Sequence, residues 1–289
     1  MKALVIIKDE IIKNLFKKKY APLLKNIDLV IKDISFLKSE CLSNSDYQLI
    51  ICDLDGQENE VIQIYQEFKN KFRFVFITDA EYTEYIEHLK NNEISNVFPK
   101  GLLIEDYLTS VKLISNLCKN KVFGINHYME YPIFLETVPL HYSSEMRKLN
   151  FKLNFLFPFL KKERLIMLKL AFAEIVSNAF FHSHNIEKGK EAYIKDPIYI
   201  SFAEDSEKIL FSVTDKKGSL NRDIIMYWLS KRLEDDDKLP LEHGRGFFLM
   251  KNIIDNLIIN IKQDEMTEFI AIFYKSDYMG VKSLIIHQV

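Results

Sequence analysis

The chain has 289 residues, of which 48% are hydrophobic and 28% charged, and its formal net charge is −2. The length allows two domains of ordinary size, and the composition supplies enough apolar residues for a substantial core. Because nucleic-acid-binding surfaces need a strong excess of Lys and Arg, the balanced charge argues against direct nucleic-acid binding.

Cysteine use and hydropathy predict a cytoplasmic protein without a membrane segment. The three cysteines, Cys41, Cys52 and Cys118, are odd in number and show no CxxC spacing, which fits a reducing compartment and offers no metal site. The apolar run near the N-terminus meets charged residues at once and is too short for a signal peptide. No run reaches the ~18 apolar residues of a membrane-spanning helix.

Short apolar runs alternate with segments of helical length in the first part of the chain. We predict strands at residues 4–7, 49–52, 74–77 and 95–98. We predict helices at residues 58–69, 80–90 and 104–118. Such apolar runs are typical of strands buried on both faces of a parallel sheet. The alternation predicts a doubly wound α/β domain over residues 1–121, with its functional groups at the carboxyl ends of the strands.

Polar residues follow these predicted strands. In chain order they are Asp9 and Glu10, Asp53 and Asp55, Thr78, and Lys100. The segments YQLIICD, ITDA and VFPKG, which carry Asp53, Thr78 and Lys100, resemble the receiver domain of two-component response regulators. The resemblance implies a flavodoxin-like fold in which Asp53 is the phospho-acceptor and holds Mg²⁺ together with Asp9. It also implies that Thr78 is the switch hydroxyl and that Lys100 contacts the phosphoryl oxygens.

The chain departs from the receiver pattern at two positions. Lys8 stands where receivers usually carry the first of two acidic residues, and Gly101 stands where a proline usually follows the lysine. A lysine in the acidic pocket repels Mg²⁺ unless Glu10 or Asp55 compensates. Two interpretations stay open: an active receiver served by an upstream histidine kinase, and a degenerate receiver used for docking or dimerisation.

Residues 122–131 are predicted as a linker and residues 132–289 as a second domain. In this domain we predict strands at 134–138, 198–202, 209–213 and 269–274. We predict helices at 144–157 and 161–184, and a tail at 279–289 that adds a strand or packs elsewhere. The second and third strands flank a turn at 204–207, which predicts a hairpin and helices over a mostly antiparallel sheet.

The predicted helix at 161–184 carries a polar stripe on an otherwise apolar segment. Glu174, Asn178 and His182 stand at successive i, i+4 spacings, so they lie along one side of the helix. A carboxylate, a carboxamide and an imidazole are costly to bury unless they have a function. The plain alternative is a solvated polar face.

A glycine-rich segment follows downstream. In EHGRGFFLMKNIID, Gly244 and Gly246 precede a helix-like apolar period. Glycines let the backbone approach a phosphate closely, and a helix start offers free amide groups and the positive end of its dipole. The segment is neither a P-loop nor a dinucleotide-binding fingerprint, and GxG alone is a weak signal.

Together with the segment VTDKKGSL, these features resemble the ATP-binding domain of the GHKL superfamily, which includes gyrase, Hsp90, histidine kinases and MutL. They look closest to the anti-sigma-factor serine kinases. Those proteins share the pattern E-x-x-x-N-A-x-x-H, a glycine-rich box like GRGFFLM, and a downstream acidic residue as at Asp255. The resemblance covers residues 132–275 and implies a two-layer α/β sandwich, the Bergerat fold, that binds ATP and Mg²⁺.

The resemblance also implies individual roles. Asn178 ligates Mg²⁺ between the phosphates, Glu174 is the catalytic base, and Asp215 accepts the adenine amino group. The positions implied around the phosphates and the lid are Gly218, Gly244, Arg245 and Gly246. Residues 219–242 would form the lid, and Arg245 is either a charge-neutralising group or an exposed arginine.

One departure lies in the adenine segment, where the family has Asp-x-Gly-x-Gly. Lys217 stands here at the first glycine position, so we expect the adenine contact of Asp215 to be kept, and nucleotide affinity and the lid hinge to be affected. His182 and His184 are expected to be groups at the helix end and not catalysts.

The leading hypothesis is a cytoplasmic signalling protein whose receiver-like domain regulates an ATP- and Mg²⁺-dependent protein serine/threonine kinase. Its protein partner would belong to a partner-switching system, as an anti-sigma antagonist or a sigma factor does. The first alternative is a non-catalytic ATP-gated interaction module, favoured by Lys217 and the incomplete acidic pocket. The second alternative is a histidine-kinase-like ATPase acting in trans. Whether the chain forms a homodimer stays open.

Overall fold

The computed structural model describes residues 1–36, 42–43, 45–79, 92–129, 131–187, 190–218, 220, 222–225, 250, 252–276 and 282–288. The protein is a mixed α/β structure. Its internal contacts divide the chain into two compact units, Met1–Val122 and Phe123–Val289, and one sheet lies in each. The helix predicted at residues 80–90 lies outside the described residues.

The first unit is built on a parallel sheet. Its described strands are β1 (Lys2–Ile6), β2 (Asp28–Lys32), β3 (Leu49–Asp53), β4 (Arg73–Thr78) and β5 (Val97–Pro99), in the spatial order β2-β1-β3-β4-β5. β1, β3 and β4 lie inside the sheet and are buried almost throughout, as expected of parallel strands covered on both faces. The sequence analysis does not predict β2, a partly exposed edge strand whose apolar run has only three residues, Leu29, Val30 and Ile31.

Helical segments connect these strands. They are α1 (Glu10–Leu15) with the short segments Phe16–Tyr20 and Ala21–Leu23 after it, the 3-10 turn Ile34–Phe36, α2 (Glu58–Phe68), α3 (Lys100–Glu105) and α4 (Tyr107–Lys119). The prediction of one helix at 104–118 is wrong, because the chain breaks at Asp106. The Asp106 side chain accepts a hydrogen bond from Thr109 N–H at 3.1 Å and so caps α4.

The second unit is built on a six-stranded sheet. Its described strands are β6 (Phe134–Tyr142), β7 (Tyr193–Glu204), β8 (Lys208–Asp215), β9 (Asn256–Lys262), β10 (Met266–Tyr274) and β11 (Ser283–Gln288), in the order β11-β9-β10-β8-β7-β6. All neighbours are antiparallel except β9 and β11. The predicted hairpin is confirmed as β7 and β8, and the tail supplies β11.

Two long helices, α5 (Glu145–Leu156) and α6 (Lys162–Ser183), belong to this unit. Phe172 of α6 is fully buried, and its ring centroid lies 5.6 Å from those of Phe202 on β7 and Phe211 on β8. With 22 residues, α6 passes a test of length and hydropathy for crossing a membrane, a test that core helices pass as well. Its packing on the sheet sets which of its sides stays accessible.

A buried carboxyl group joins three strands to the segment that precedes β6. Glu268 of β10 accepts hydrogen bonds from Gly124 N–H at 2.9 Å and from Asn260 Nδ2 of β9 at 3.2 Å. Thr214 Oγ1 of β8 donates to the same carboxyl group at 3.4 Å. Burial raises the pKa of Glu268, because it disfavours the charged form, and these donors offset only part of the effect.

Candidate functional site

The carboxyl ends of β3, β4 and β5 bring a group of polar side chains together. Asp53 ends β3, Thr78 ends β4, and Lys100 directly follows β5. Because the three strands are parallel neighbours, these residues share one edge of the sheet. The adjoining loops add Asp55 and Asp79. We call these five residues the Lys100 cluster.

Lys100 contacts all three carboxyl groups of the cluster. Its Nζ lies 2.5 Å from Asp55 Oδ2, 3.2 Å from Asp53 Oδ1 and 3.3 Å from Asp79 Oδ2, and its side chain is only 5% exposed. Burial by itself lowers the pKa of Lys100, but the hydrogen bonds and charges of Asp55 and Asp53 outweigh it and raise the pKa above its ordinary value. Lys100 is therefore a permanent cation at this edge of the sheet.

Asp53, the predicted phospho-acceptor, has the most buried of these carboxyl groups, with its side chain 2% exposed. Its Oδ1, which faces Lys100, also accepts a hydrogen bond from Asp55 N–H at 3.1 Å. Burial raises the pKa of Asp53, and the nearby charge of Lys100 offsets only part of this shift.

Asp55 makes the closest contacts in the cluster. Its Oδ1 accepts a hydrogen bond from Thr78 Oγ1 at 2.6 Å. Its Oδ2 accepts from Asp79 N–H at 2.9 Å and from Lys100 Nζ at 2.5 Å. Burial by itself raises the pKa of Asp55, but the hydrogen bonds from Lys100 and Thr78 outweigh it and leave the pKa below its ordinary value. Asp55 is thus a carboxylate held by three donors.

The predicted Mg²⁺ ligand Asp9 has a local structural role. Its Oδ1 caps α1 by accepting hydrogen bonds from Ile11 N–H at 2.7 Å and Ile12 N–H at 3.1 Å. The side chain of Lys8, one residue earlier, extends towards Gly56 in the loop between β3 and α2. A β-carbon added to Gly56 would lie 3.8 Å from Lys8 Nζ.

This arrangement does not fit Mg²⁺ at Asp9 and Asp53. Mg²⁺ takes oxygen ligands, and the Lys100 ammonium, 3.2 Å from Asp53 Oδ1, opposes a further cation there. Among the described residues, no group of three or more His, Cys, Asp and Glu side chains is arranged to hold a metal ion. Mg²⁺ binding at Asp9 and Asp53 stays a prediction that requires the Lys100 cluster to rearrange.

In the second unit, the predicted polar stripe lies on α6. Asn178 Nδ2 donates a hydrogen bond to Glu174 Oε1 at 2.9 Å, and both residues are partly exposed, while His182 is exposed. Since the two polar atoms of a carboxamide lie on opposite sides of its carbon, this bond turns the Asn178 oxygen away from Glu174. The side that α6 does not bury therefore presents a carboxylate beside an oriented carboxamide.

Asp215 is buried at the end of β8 and lies beside the last turn of α6. Its Oδ1 accepts a hydrogen bond from Lys217 N–H at 3.0 Å. Burial raises the pKa of Asp215, and the Lys217 amide, His184 and Ser183 oppose the shift. Because Ser183 is the last residue of α6, the carboxyl group lies near the C-terminal end of the helix, about one and a half turns beyond Asn178.

Gly218 is required by the fold around it. Its φ is +59°, and a β-carbon there would lie 2.5 Å from Glu265 N and 2.8 Å from Met266 N in the β9–β10 turn. Only glycine fits so close to backbone in this conformation. The predicted contact of Gly218 with phosphates stays a prediction, because packing alone accounts for this residue.

The predicted residues Gly244, Arg245 and Gly246 lie outside the described residues, as does most of the predicted lid. Asp255, part of the family resemblance, is described and has a structural role. Its carboxyl group forms an ion pair with Arg164 in the first turn of α6 and accepts a hydrogen bond from Tyr274 N–H at 2.9 Å. Asp255 therefore ties α6 to the end of β10.

Asp79 and Ser183 belong to these sites but are not singled out by the sequence analysis. Asp79 directly follows the predicted switch residue Thr78. Its position next to Thr78 is the sequence signal that its backbone amide lies at the same strand end, where it donates to Asp55. Ser183 stands among the last residues of the predicted helix, next to His184, and its position gives no sign of the nearby Asp215.

Comparisons with known proteins add little. No protein-family model matches the chain, and no curated protein is significantly similar to it. A solved structure of the RcsB response regulator of Salmonella typhimurium, titled for conformational dynamism in DNA interaction, matches with 18% identity and a TM-score of 0.34. The match covers 44% of this chain and 64% of that one. A likeness of this size supports no conclusion about function.

Proposed function

We propose that the second unit binds Mg²⁺-ATP and transfers its terminal phosphoryl group to a serine or threonine of a protein partner. The observation that carries this proposal is the placement of three side chains at the C-terminal half of α6. Glu174 and Asn178 are hydrogen-bonded on its accessible side, and Asp215 lies by its last turn. This separation along the helix suits ATP, with the adenine base at Asp215 and the phosphates near Asn178.

The chemistry of each group supports this placement. Asp215 is a desolvated carboxyl acceptor, which suits the exocyclic amino group of adenine. The Asn178 carboxamide oxygen suits Mg²⁺ between the phosphates. Glu174 lies one helical turn away and, through its bond with Asn178, is held in a fixed orientation.

In the proposed reaction, ATP supplies the phosphoryl group. The hydroxyl oxygen of the partner forms the new bond to the γ-phosphorus, the bond to the departing ADP oxygen breaks, and Glu174 accepts the hydroxyl proton. Positioning and charge neutralisation supply most of the catalysis in such transfers.

We also propose that the first unit acts as a receiver-type regulatory domain. The strand order β2-β1-β3-β4-β5 is that of flavodoxin-like doubly wound sheets, and the Lys100 cluster lies at the carboxyl ends of the strands, where such sheets carry their sites. The partner that we propose is a component of a partner-switching system, an anti-sigma antagonist or a sigma factor, and the proposed location is the cytoplasm.

The proposal is tested by separating nucleotide binding from transfer. Glu174→Gln keeps the shape of the side chain but cannot accept a proton, so we expect transfer of label from γ-labelled ATP to fall by about 10²–10⁴-fold. ATP affinity should stay within about twofold, because Glu174 is not proposed as a ligand of the nucleotide. Labelled phosphate released to water and label on a serine-bearing partner protein are both measured.

Glu163→Gln, the same change at an exposed position in the first turn of α6, is the matched control and should transfer label like the wild type. Equal labelling by Glu174→Gln contradicts the kinase proposal. Lys217 at the first glycine position favours a second function, a non-catalytic ATP-gated interaction module. That function is supported if the wild type binds ATP and neither transfer nor hydrolysis occurs.

A further inference from the structure

An exposed apolar surface lies on the hairpin that α5 and α6 form. Phe151 and Phe155 of α5 are 63% and 69% exposed, and their ring centroids lie 5.3 Å apart. Phe159, in the connection between the two helices, is 98% exposed, and Ile166 and Leu170 of α6 are about half exposed. We call these five residues the hairpin face. Large apolar side chains that gather on a surface mark a site of contact with another molecule or with a membrane.

The apolar residues of the two helices lie on the same side of the hairpin. The helices contact each other where Lys169 Nζ donates a hydrogen bond to Asn154 Oδ1 at 3.1 Å. Phe151 and Phe155 stand three residues before and one residue after Asn154, which places them about 60° and 100° around α5 from this contact. The α6 residues of the hairpin face have the same spacing around Lys169. Because the short connection makes the helices antiparallel, equal rotations in both lead to one side.

The connection holds Phe159 outward. Its neighbour Phe157 is buried, and the Phe157 carbonyl oxygen accepts a hydrogen bond from Leu160 N–H at 3.2 Å. This bond closes a tight turn around Phe159, while the buried ring of Phe157 fixes the turn to the second unit. The Phe159 ring therefore stays in solvent at the tip of the hairpin, where it contributes almost nothing to the core.

Basic residues surround the hairpin face. Residues 145–170 contain seven Lys and Arg residues against two Glu residues, although the whole chain has a net charge of −2. Arg147 and Lys148 near the start of α5 are exposed, as are Lys161 and Lys162 at the start of α6. An apolar surface with a basic rim fits an anionic partner. It disfavours a second copy of this chain seated face to face, because the two basic rims would repel each other.

We propose that the hairpin face binds the surface of an anionic lipid bilayer. The phenylalanine rings enter the headgroup region, and the surrounding Lys and Arg side chains contact the lipid phosphates. The hairpin face uses the N-terminal half of α6, whereas Glu174 and Asn178 lie in its C-terminal half. This inference goes beyond the proposed kinase activity and does not depend on ATP binding.

The groove between the helices favours a bilayer over a partner helix. Its floor is polar, because Lys169 and Asn154 bind each other there and Asn150 Nδ2 donates to the Lys169 carbonyl oxygen at 3.5 Å. A partner helix in this groove would lay its apolar side on these polar groups, which is unfavourable. A bilayer contacts the outer sides of the helices, where the apolar residues stand.

Vesicle co-sedimentation of the full chain without nucleotide tests the proposal. We expect binding to vesicles of equal parts phosphatidylglycerol and phosphatidylcholine, and binding weaker by about tenfold or more to phosphatidylcholine alone, because the basic residues then lack anionic partners. Phe155→Ser combined with Phe159→Ser should weaken binding to the anionic vesicles by about tenfold or more, since two rings no longer enter the bilayer. Phe159→Ser alone replaces this variant if circular dichroism shows that the double variant does not fold.

Two controls make the result specific. Ile11→Ser removes an apolar side chain of the first unit that is 71% exposed, so this variant should bind like the wild type. Lys161→Gln combined with Lys162→Gln should weaken binding to the anionic vesicles and leave binding to phosphatidylcholine unchanged.

Three outcomes overturn the proposal. The first is a wild type that binds neither kind of vesicle, which leaves an acidic protein surface as the occupant of the hairpin face. The second is equal binding to anionic vesicles by the wild type and the phenylalanine variant. The third is a wild-type dimer in sedimentation velocity that the phenylalanine variant abolishes, which assigns the hairpin face to a second copy of the chain.

Discussion

Two glycines with left-handed backbone conformation differ in what surrounds them. Gly56 has φ +72°, and the nearest atom to a β-carbon there would be the flexible Lys8 Nζ at 3.8 Å. Gly218 has φ +59°, and a β-carbon there would meet the backbone nitrogens of Glu265 and Met266 below 3 Å. Both positions disfavour other residues by conformation, but only Gly218 also lacks space.

Alanine substitution separates these two effects. Gly56→Ala should lower the free energy of unfolding by about 1–2 kcal/mol, the cost of the left-handed conformation alone. Gly218→Ala should cost more, because the β9–β10 turn must move to admit the β-carbon. Urea unfolding followed by circular dichroism measures both variants, and equal losses would show that the close packing at Gly218 is not rigid.

At the residue scale, the sequence predicts the convergence of Asp53, Thr78 and Lys100, because parallel neighbouring strands must end at one edge. It does not predict that Asp55 takes the three donors. That result depends on the backbone path of the loop through Gly56, which a strand and helix pattern does not specify.

A row of polar side chains crosses four strands of the second sheet. Glu268 of β10 pairs in register with Thr214 of β8 and with Asn260 of β9, and Asn260 pairs with His287 of β11. Burial lowers the pKa of His287 to about 3 and raises the pKa of Tyr128, which accepts a hydrogen bond from Asn260. Both groups are therefore neutral near pH 7, and Glu268 is the titrating member of the row.

The raised pKa of Glu268 predicts a stability that increases as the pH falls. The folded chain binds this proton more readily than the unfolded chain, whose Glu pKa is about 4.3. The contribution of Glu268 to the free energy of unfolding therefore rises as the pH falls from 7 through the raised folded pKa, and it levels off below the unfolded value.

Glu268→Gln cannot titrate, so wild type should gain stability relative to this variant between pH 7 and about pH 4.5. Urea midpoints of the two proteins across this range give the measurement. Glu265→Gln, in the exposed β9–β10 turn, is the matched control: it keeps Glu268, so it should gain stability on acidification as the wild type does. If the stability of the wild type relative to Glu268→Gln decreases as the pH falls, the raised pKa of Glu268 is contradicted.

At the element scale, periodicity identifies the hairpin of β7 and β8 and the helix α6, because each has an uninterrupted pattern of its own. It fails at Asp106, where a side-chain cap starts a new helix inside an apolar period. Periodicity also fails at β9, because the apolar residues of β9 follow without a break on the helix-like apolar spacing of residues 242–255. Residues 256–262 become a strand through pairing with β10 and β11, which is a tertiary effect.

At the scale of the whole molecule, the chain has two units with separate sheets and separate candidate sites. In the first unit, Asp55 accepts hydrogen bonds from Thr78, the Asp79 amide and Lys100. In the second unit, the proposed nucleotide ligands lie on α6 and at the end of β8. The strand alternation predicted that Asp53, Thr78 and Lys100 lie at one edge of the first sheet, whereas the nucleotide site of the second unit stays a prediction. The glycine-rich segment at residues 242–255, of which most lies outside the described residues, carries the part of the nucleotide site that stays a prediction.

The central claim, that the second unit binds Mg²⁺-ATP through Asn178, is tested most directly by ATP affinity of the full chain with Mg²⁺ and with EDTA. We predict that Asn178→Ala loses Mg²⁺-dependent affinity by about tenfold or more, because a metal ligand is removed. His182→Ala, exposed on the same side of α6, should bind like the wild type. Absence of ATP binding by the wild type, or unchanged Mg²⁺-dependent affinity in Asn178→Ala, would contradict the account.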